Sequence, residues 1–175
     1  MTLRKVMMRS WMMSALLALG ACATDVQQFA NVPMQRIVGG SEAIKSVTVT
    51  FSRSGQKDWA QNTQFSQDTL LSSVERVLQA KQLYAPDSRT QDSLQIRITA
   101  IRVRSTFNAV MWGFMAGSDN MRGDVYLRDS SGRLINHFSV YASYALGGFA
   151  GGIESVRMGW LYNKFADLVG KNLTS

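Results

Sequence analysis

The chain has 175 residues, 46% of them hydrophobic and 18% charged, with 14 Gly, 2 Pro and 1 Cys. That balance suits one globular domain and excludes a collagenous, wholly disordered or disulfide-stapled protein. The formal charge is +7, but Arg4, Lys5 and Arg9 lie in an amino-terminal segment with the marks of a leader, and without it the excess falls to +4. Such a mild excess does not by itself imply a nucleic-acid binder.

Residues 1–21 read as a basic start, an apolar run from Trp11 to Leu19, and the small residues Gly20 and Ala21 before Cys22. This is the order of an export signal. The run is shorter than the ~20 apolar residues a membrane-spanning helix needs, so it is expected to be cleaved. Leu19-Gly20-Ala21-Cys22 resembles the lipobox of bacterial lipoproteins, in which the cysteine is acylated and the signal is cut just before it. The resemblance implies cleavage between Ala21 and Cys22 and lipid attachment at Cys22. The plain alternative is a free or buried cysteine behind an ordinary secretory signal, an unpaired thiol in an oxidising compartment. In the lipoprotein family an Asp directly after the acylated Cys favours the inner membrane. Here Ala23 and Thr24 come first, which implies the periplasmic face of the outer membrane.

Residues 22–45 show no sustained period and read as a lipidated tether with a short docked piece around Arg36-Ile37-Val38; whether the tether stands free or packs on the domain stays open. The domain proper is expected over 46–175. Val47-Thr48-Val49-Thr50-Phe51 alternates like a half-buried strand, and Ser54-Gly55-Gln56-Lys57-Asp58 breaks it. From about 63 to 83, Phe65, Leu70, Leu71, Val74, Val77 and Leu78 fall at helical spacing, capped by Thr63 or Ser66, with Ser72, Ser73 and Arg76 facing out. Leu94, Ile96 and Ile98 form a second strand whose apolar phase slips to Ile101 and Val103, the mark of a β-bulge near Ala100.

Two more strands, about 123–128 and 134–142, flank Asp129-Ser130-Ser131-Gly132-Arg133, a hairpin signal. A helix from about 153 to 173 presents Met158, Leu161, Tyr162, Phe165, Leu168 and Val169 on one stripe and Arg157, Lys164 and Lys171 on the other. The order strand, helix, three strands, helix predicts an α+β two-layer sandwich, a mainly antiparallel sheet with two helices on one face.

Support for catalysis is lacking. His137 is the only histidine, and there is no HExxH or GxSxG. Neither cofactor nor metal is implied. The carboxylates Asp119, Asp124, Asp129, Glu154 and Asp167 form no tight pair on a common element. The glycine-rich run 145–152 lacks the Lys of a phosphate loop, and Glu154 would repel an anion there. Residues 107–117 are unusually apolar for a link between strands. Met111, Trp112, Phe114 and Met115, with Phe149 of the glycine-rich run, are the candidate interaction residues, either an exposed partner surface or core. Arg97, Arg102 and Arg104 are candidate contacts for anionic lipid or glycan, or a solvated sheet face.

With its lipobox Cys22 and its element order, the chain resembles small Gram-negative outer-membrane lipoproteins. These include an uncharacterised lipoprotein domain family and, by layout, the lipopolysaccharide-assembly lipoprotein that plugs a β-barrel translocon. The resemblance spans about 47–173, and only the lipobox is a specific motif. It implies a non-catalytic periplasmic lipoprotein, anchored through acyl chains on Cys22, that docks on an envelope protein. The alternative is a lipid-, lipopolysaccharide- or glycan-binding protein of outer-membrane assembly. Nucleic acid is not an expected partner.

Overall fold

The structure, a computed structural model, describes residues 25–28, 43–62, 64–105, 117–144 and 153–174. Five strands, β1 (Asp25–Gln28), β2 (Ser46–Phe51), β3 (Ser93–Arg102), β4 (Asp119–Arg128) and β5 (Leu134–Tyr144), form one sheet in the order β1-β5-β4-β3-β2. The helices are α1 (Arg53–Gln61), α2 (Gln67–Ala80) and α3 (Glu154–Asn172). Only β2 and β3 pair in parallel, so the chain crosses between them through α1 and α2. The other three pairings are antiparallel.

The alternation expected of the strands sets one face against the helices. Val47, Val49, Leu94, Ile96, Ile98, Val125, Leu127, Phe138 and Val140 are buried with Leu70, Val74 and Leu78 of α2 and Leu161, Phe165 and Val169 of α3. This is the predicted two-layer α+β sandwich. Gly123 of β4 leaves room for α3, since a Cβ there would stand 3.0 Å from the Phe165 ring and 3.2 Å from Ile98 Cδ1. Ser66 caps α2, its hydroxyl accepting from Thr69 N–H at 3.2 Å, and its own N–H donates to Tyr162 Oη at 2.7 Å, tying the two long helices together. The predicted slip in β3 is present as a register shift between Ile98 and Ala100, with Ile98 and Ile101 both buried on either side of it.

Three features depart from the sequence reading. Part of the expected tether belongs to the sheet, because Asp25–Gln28 pairs with Phe138–Tyr141. Ala43 and Ile44 are also core residues, Ile44 N–H donating to Leu83 O at 2.8 Å. Their burial comes from contacts distant in sequence, which periodicity does not report. Second, Ser73 is buried rather than outward, since α3 packs on that side of α2.

Third, the segment read as a break after β2 is the helix α1. It runs alongside β3 beyond the point where β2 stops pairing and takes over that strand's open edge. Ser52 N–H donates to Ile98 O and Ser54 Oγ to Thr99 O, each at 2.9 Å. Ile101 N–H donates to Asp58 Oδ2 and Val103 N–H to Asn62 Oδ1, each at 3.1 Å. Side chains thus satisfy backbone groups that would otherwise template pairing with another chain. The approach is so close that a Cβ on Gly55 would collide with the Ile98 carbonyl oxygen. Trp59 holds α1 from the other side by stacking on Phe51 at 4.6 Å.

Candidate functional site: the open face of the sheet

No described helix or strand covers the second face of the sheet. Its residues are the polar partners of the buried alternation, and register assembles them into rows. Thr50, Arg97, Asp124, Ser139 and Gln27 lie side by side across all five strands. On one side of that row stand Gln95, Tyr126 and His137, and on the other Arg122 and Tyr141.

The first cluster is well knit. Arg97 Nη2 donates to Asp124 Oδ2 at 3.2 Å and to Tyr126 Oη at 2.8 Å. Ser139 Oγ donates to the other Asp124 oxygen. Tyr126 stacks on His137, ring centroids 4.3 Å apart, and takes the Arg97 and Arg128 guanidiniums at 5.4 and 6.0 Å. Burial holds the His137 imidazole below its ordinary pKa; Asp124 opposes this, and the Arg97 and Arg128 charges reinforce it. The ring therefore favours its neutral form beside two permanent cations.

The second cluster is simpler. Exposed Arg122 rests over the Tyr141 ring at 5.3 Å, and a shallow recess lined by Gln27, Arg122, Ser139 and Tyr141 opens beside it. An exposed guanidinium steadied by a ring is suited to a carboxylate or phosphate. Arg97 and Arg128 thus stand around the Tyr126 ring and Arg122 over Tyr141, with Asp124 bonded to Arg97 between them.

Of the residues chosen from the sequence, Arg97 lies in this site and exposed Arg102 at the end of β3. Arg104 does not belong with them. It is 5% exposed and sits in an ion triad with Asp119 and Arg157, both 0% exposed. Its backbone N–H and Nε donate to Asp119 Oδ1 at 2.6 and 3.2 Å, and its Nη1 to Gly117 O at 2.7 Å. Arg157 Nε donates to Asp119 Oδ2 and its Nη2 to Arg104 O, at 2.7 and 2.6 Å. Arg104 lies past the end of β3, where alternation no longer decides which way a side chain turns, and Arg157 is drawn in from the polar stripe expected of α3 by the same carboxylate. Ala21, Cys22, Met111, Trp112, Phe114, Met115 and Phe149 fall outside the described residues. Sequence reading passed over Arg122, Tyr126, Arg128 and Tyr141, although Arg122, Asp124, Tyr126 and Arg128 alternate in β4 in the phase that puts them beside Arg97. Among the described residues no group of three or more His, Cys, Asp and Glu is placed to hold a metal ion, and no helix is long and apolar enough to cross a membrane.

The family model described as "Domain of unknown function (DUF4410)" matches residues 25–148, well over half of the chain. The chain belongs to the DUF4410 family. The match opens at the first residue of β1, so this DUF4410 domain takes in the edge strand and stops short of α3. Among curated proteins none matches the chain. Among solved structures it is similar to the PelC dodecamer from Paraburkholderia phytofirmans, at 14% identity and a TM-score of 0.49 over 87% of this chain and 99% of that one. A DUF330 protein from Xanthomonas campestris gives 13% identity and a TM-score of 0.46 over 83% and 90%. A minor lipoprotein from Acinetobacter baumannii gives 14% and 0.32 over 74% and 89%.

Proposed function

We propose that this DUF4410 protein is a lipid-anchored, non-catalytic accessory protein of the bacterial envelope, held to the periplasmic face of the outer membrane through Cys22, and that the open sheet face binds anionic envelope material. The observation that carries the reading is the Arg122–Tyr141 pair beside the Arg97–Asp124–Tyr126–His137 cluster. Several guanidiniums are pre-positioned over aromatic rings on this face. Phosphate or carboxylate on a glycan or lipopolysaccharide is the chemistry such a surface selects. The lipobox supports the address, and the absence of a catalytic motif in the sequence supports the non-catalytic role.

The test is binding of phosphorylated lipopolysaccharide, with its dephosphorylated form as control. Loss of one charge-assisted contact is worth about 1.5–3 kcal/mol, so Arg122→Ser is expected to weaken binding by roughly tenfold or more. Salt should weaken it too. Equal binding by the Arg97→Ser, Arg122→Ser double variant, or equal binding of the dephosphorylated form, would refute the reading.

A further inference from the structure

Chain geometry constrains how the domain sits on its membrane. Cys22 precedes Asp25, the first residue of β1, by three residues, and three extended residues span only about 10 Å. Asp25 is fixed in register opposite Tyr141 of β5. The same end of the sheet holds the end of β3 at Arg102, the start of β4 at Asp119 and the end of β5 at Tyr144. The first turn of α3 is pinned there through Arg157 and Asp119. The opposite end, with the 129–133 hairpin, lies about 30 Å away along a ten-residue strand.

The surface at the β1 end has the composition of a membrane contact. Ile153 and Val156, at the start of α3, are the exposed large hydrophobic residues of the described chain, at 62% and 58%. Exposed Arg102 lies at the same end, and beneath it the buried triad holds two guanidiniums to one carboxylate. Asp25, Asp58 and Glu154 are the acidic residues at this end besides the buried Asp119, and Asp58 is engaged with Ile101 N–H.

We infer that this end of the domain rests on the bilayer that holds the Cys22 lipid, with Ile153 and Val156 entering the headgroup–acyl boundary and Arg102 meeting headgroup phosphates. Apolar side chains flanked by cations bind lipid interfaces in this way, and a link of about 10 Å leaves the domain no room to stand clear of the surface. The inference rests on the proposed acylation of Cys22 and is separate from ligand binding on the sheet face. With β1 in the sheet, the open face stands off the membrane along its length and stays accessible.

The test uses the full acylated chain in vesicles of phosphatidylethanolamine and phosphatidylglycerol. Once Cys22 carries its lipid, Val156→Cys and Ser131→Cys each supply a single thiol for a fluorophore, read against a quencher on the lipid acyl chain. Quenching is expected at 156 and absent at 131. Vesicle-bound protein with equal quenching at both sites would overturn the inference and leave anchoring intact. Protein that does not sediment with the vesicles would overturn both. An Ile153→Asp change in the 156-labelled chain is expected to abolish the quenching while the protein stays vesicle-bound, and undiminished quenching counts against the contact.

Discussion

Replacing Asp119 by Asn should remove much of the domain's stability. The carboxylate is fully buried and accepts from Arg104 N, Arg104 Nε, Arg104 Nη2 and Arg157 Nε at 2.6, 3.2, 3.2 and 2.7 Å. Breaking a buried ion pair by removing one partner costs about 3–5 kcal/mol, because the other charge stays buried without its counterion. Here one carboxylate serves two guanidiniums, so the loss belongs at the upper end, about 4–5 kcal/mol. A domain of ordinary stability has about 5–15 kcal/mol in total. Urea unfolding followed by tryptophan fluorescence reads the effect as a fall in midpoint. Arg157→Met should be strongly non-additive with Asp119→Asn, the two together costing less than their sum by more than about 1 kcal/mol, as coupled neighbours do. A loss below about 1 kcal/mol for Asp119→Asn, or simple additivity, would refute the view of the triad as a single electrostatic unit.

Glycines give a paired test. Gly55→Ala drives a Cβ into the Ile98 carbonyl and should cost at least the roughly 1–3 kcal/mol of an overpacked site, whereas Gly159→Ala, mid-helix with nothing within 4 Å, should gain about 0.5–1 kcal/mol; the order of the two thermal midpoints checks both. His137 should titrate below its ordinary value of 6.5, because burial disfavours its charged form. The unfolded chain then binds the proton more readily, so this contribution to stability is full above the unfolded pKa and is lost as pH falls through the folded one. An NMR titration of the single histidine with a midpoint above 6.5 would contradict the packing of Tyr126 on its ring.

Much of the sheet was legible because one face is buried and the other is not. The alternation of Leu94, Ile96 and Ile98 and the slip to Ile101 reported the bulge directly, and the stripe Leu161, Phe165, Leu168 reported α3. What escaped shares a physical cause: its reason lies far away in sequence. Helix α1 contributes only Gly55 to the buried set, so no apolar period announces it; Asp58 and Asn62 hold it to β3 through the polar bonds that spacing cannot show. Strand β1 is four residues long, too short to alternate visibly. Arg104 and Arg157 read as surface cations because their partner, Asp119, is 15 and 38 residues away. The arginine-bearing face was half visible, through Arg97, while Arg122 needed the β4–β5 register to bring it over Tyr141.

Both the envelope role and the membrane contact depend on how the chain begins in the cell. The most direct measurement is the intact mass of the protein extracted from membranes, with fragmentation of its amino terminus. The expected species is a polypeptide that starts at Cys22 and carries acyl chains on that residue. A chain that retains Met1, or one that starts near Cys22 with an unmodified thiol, would contradict it.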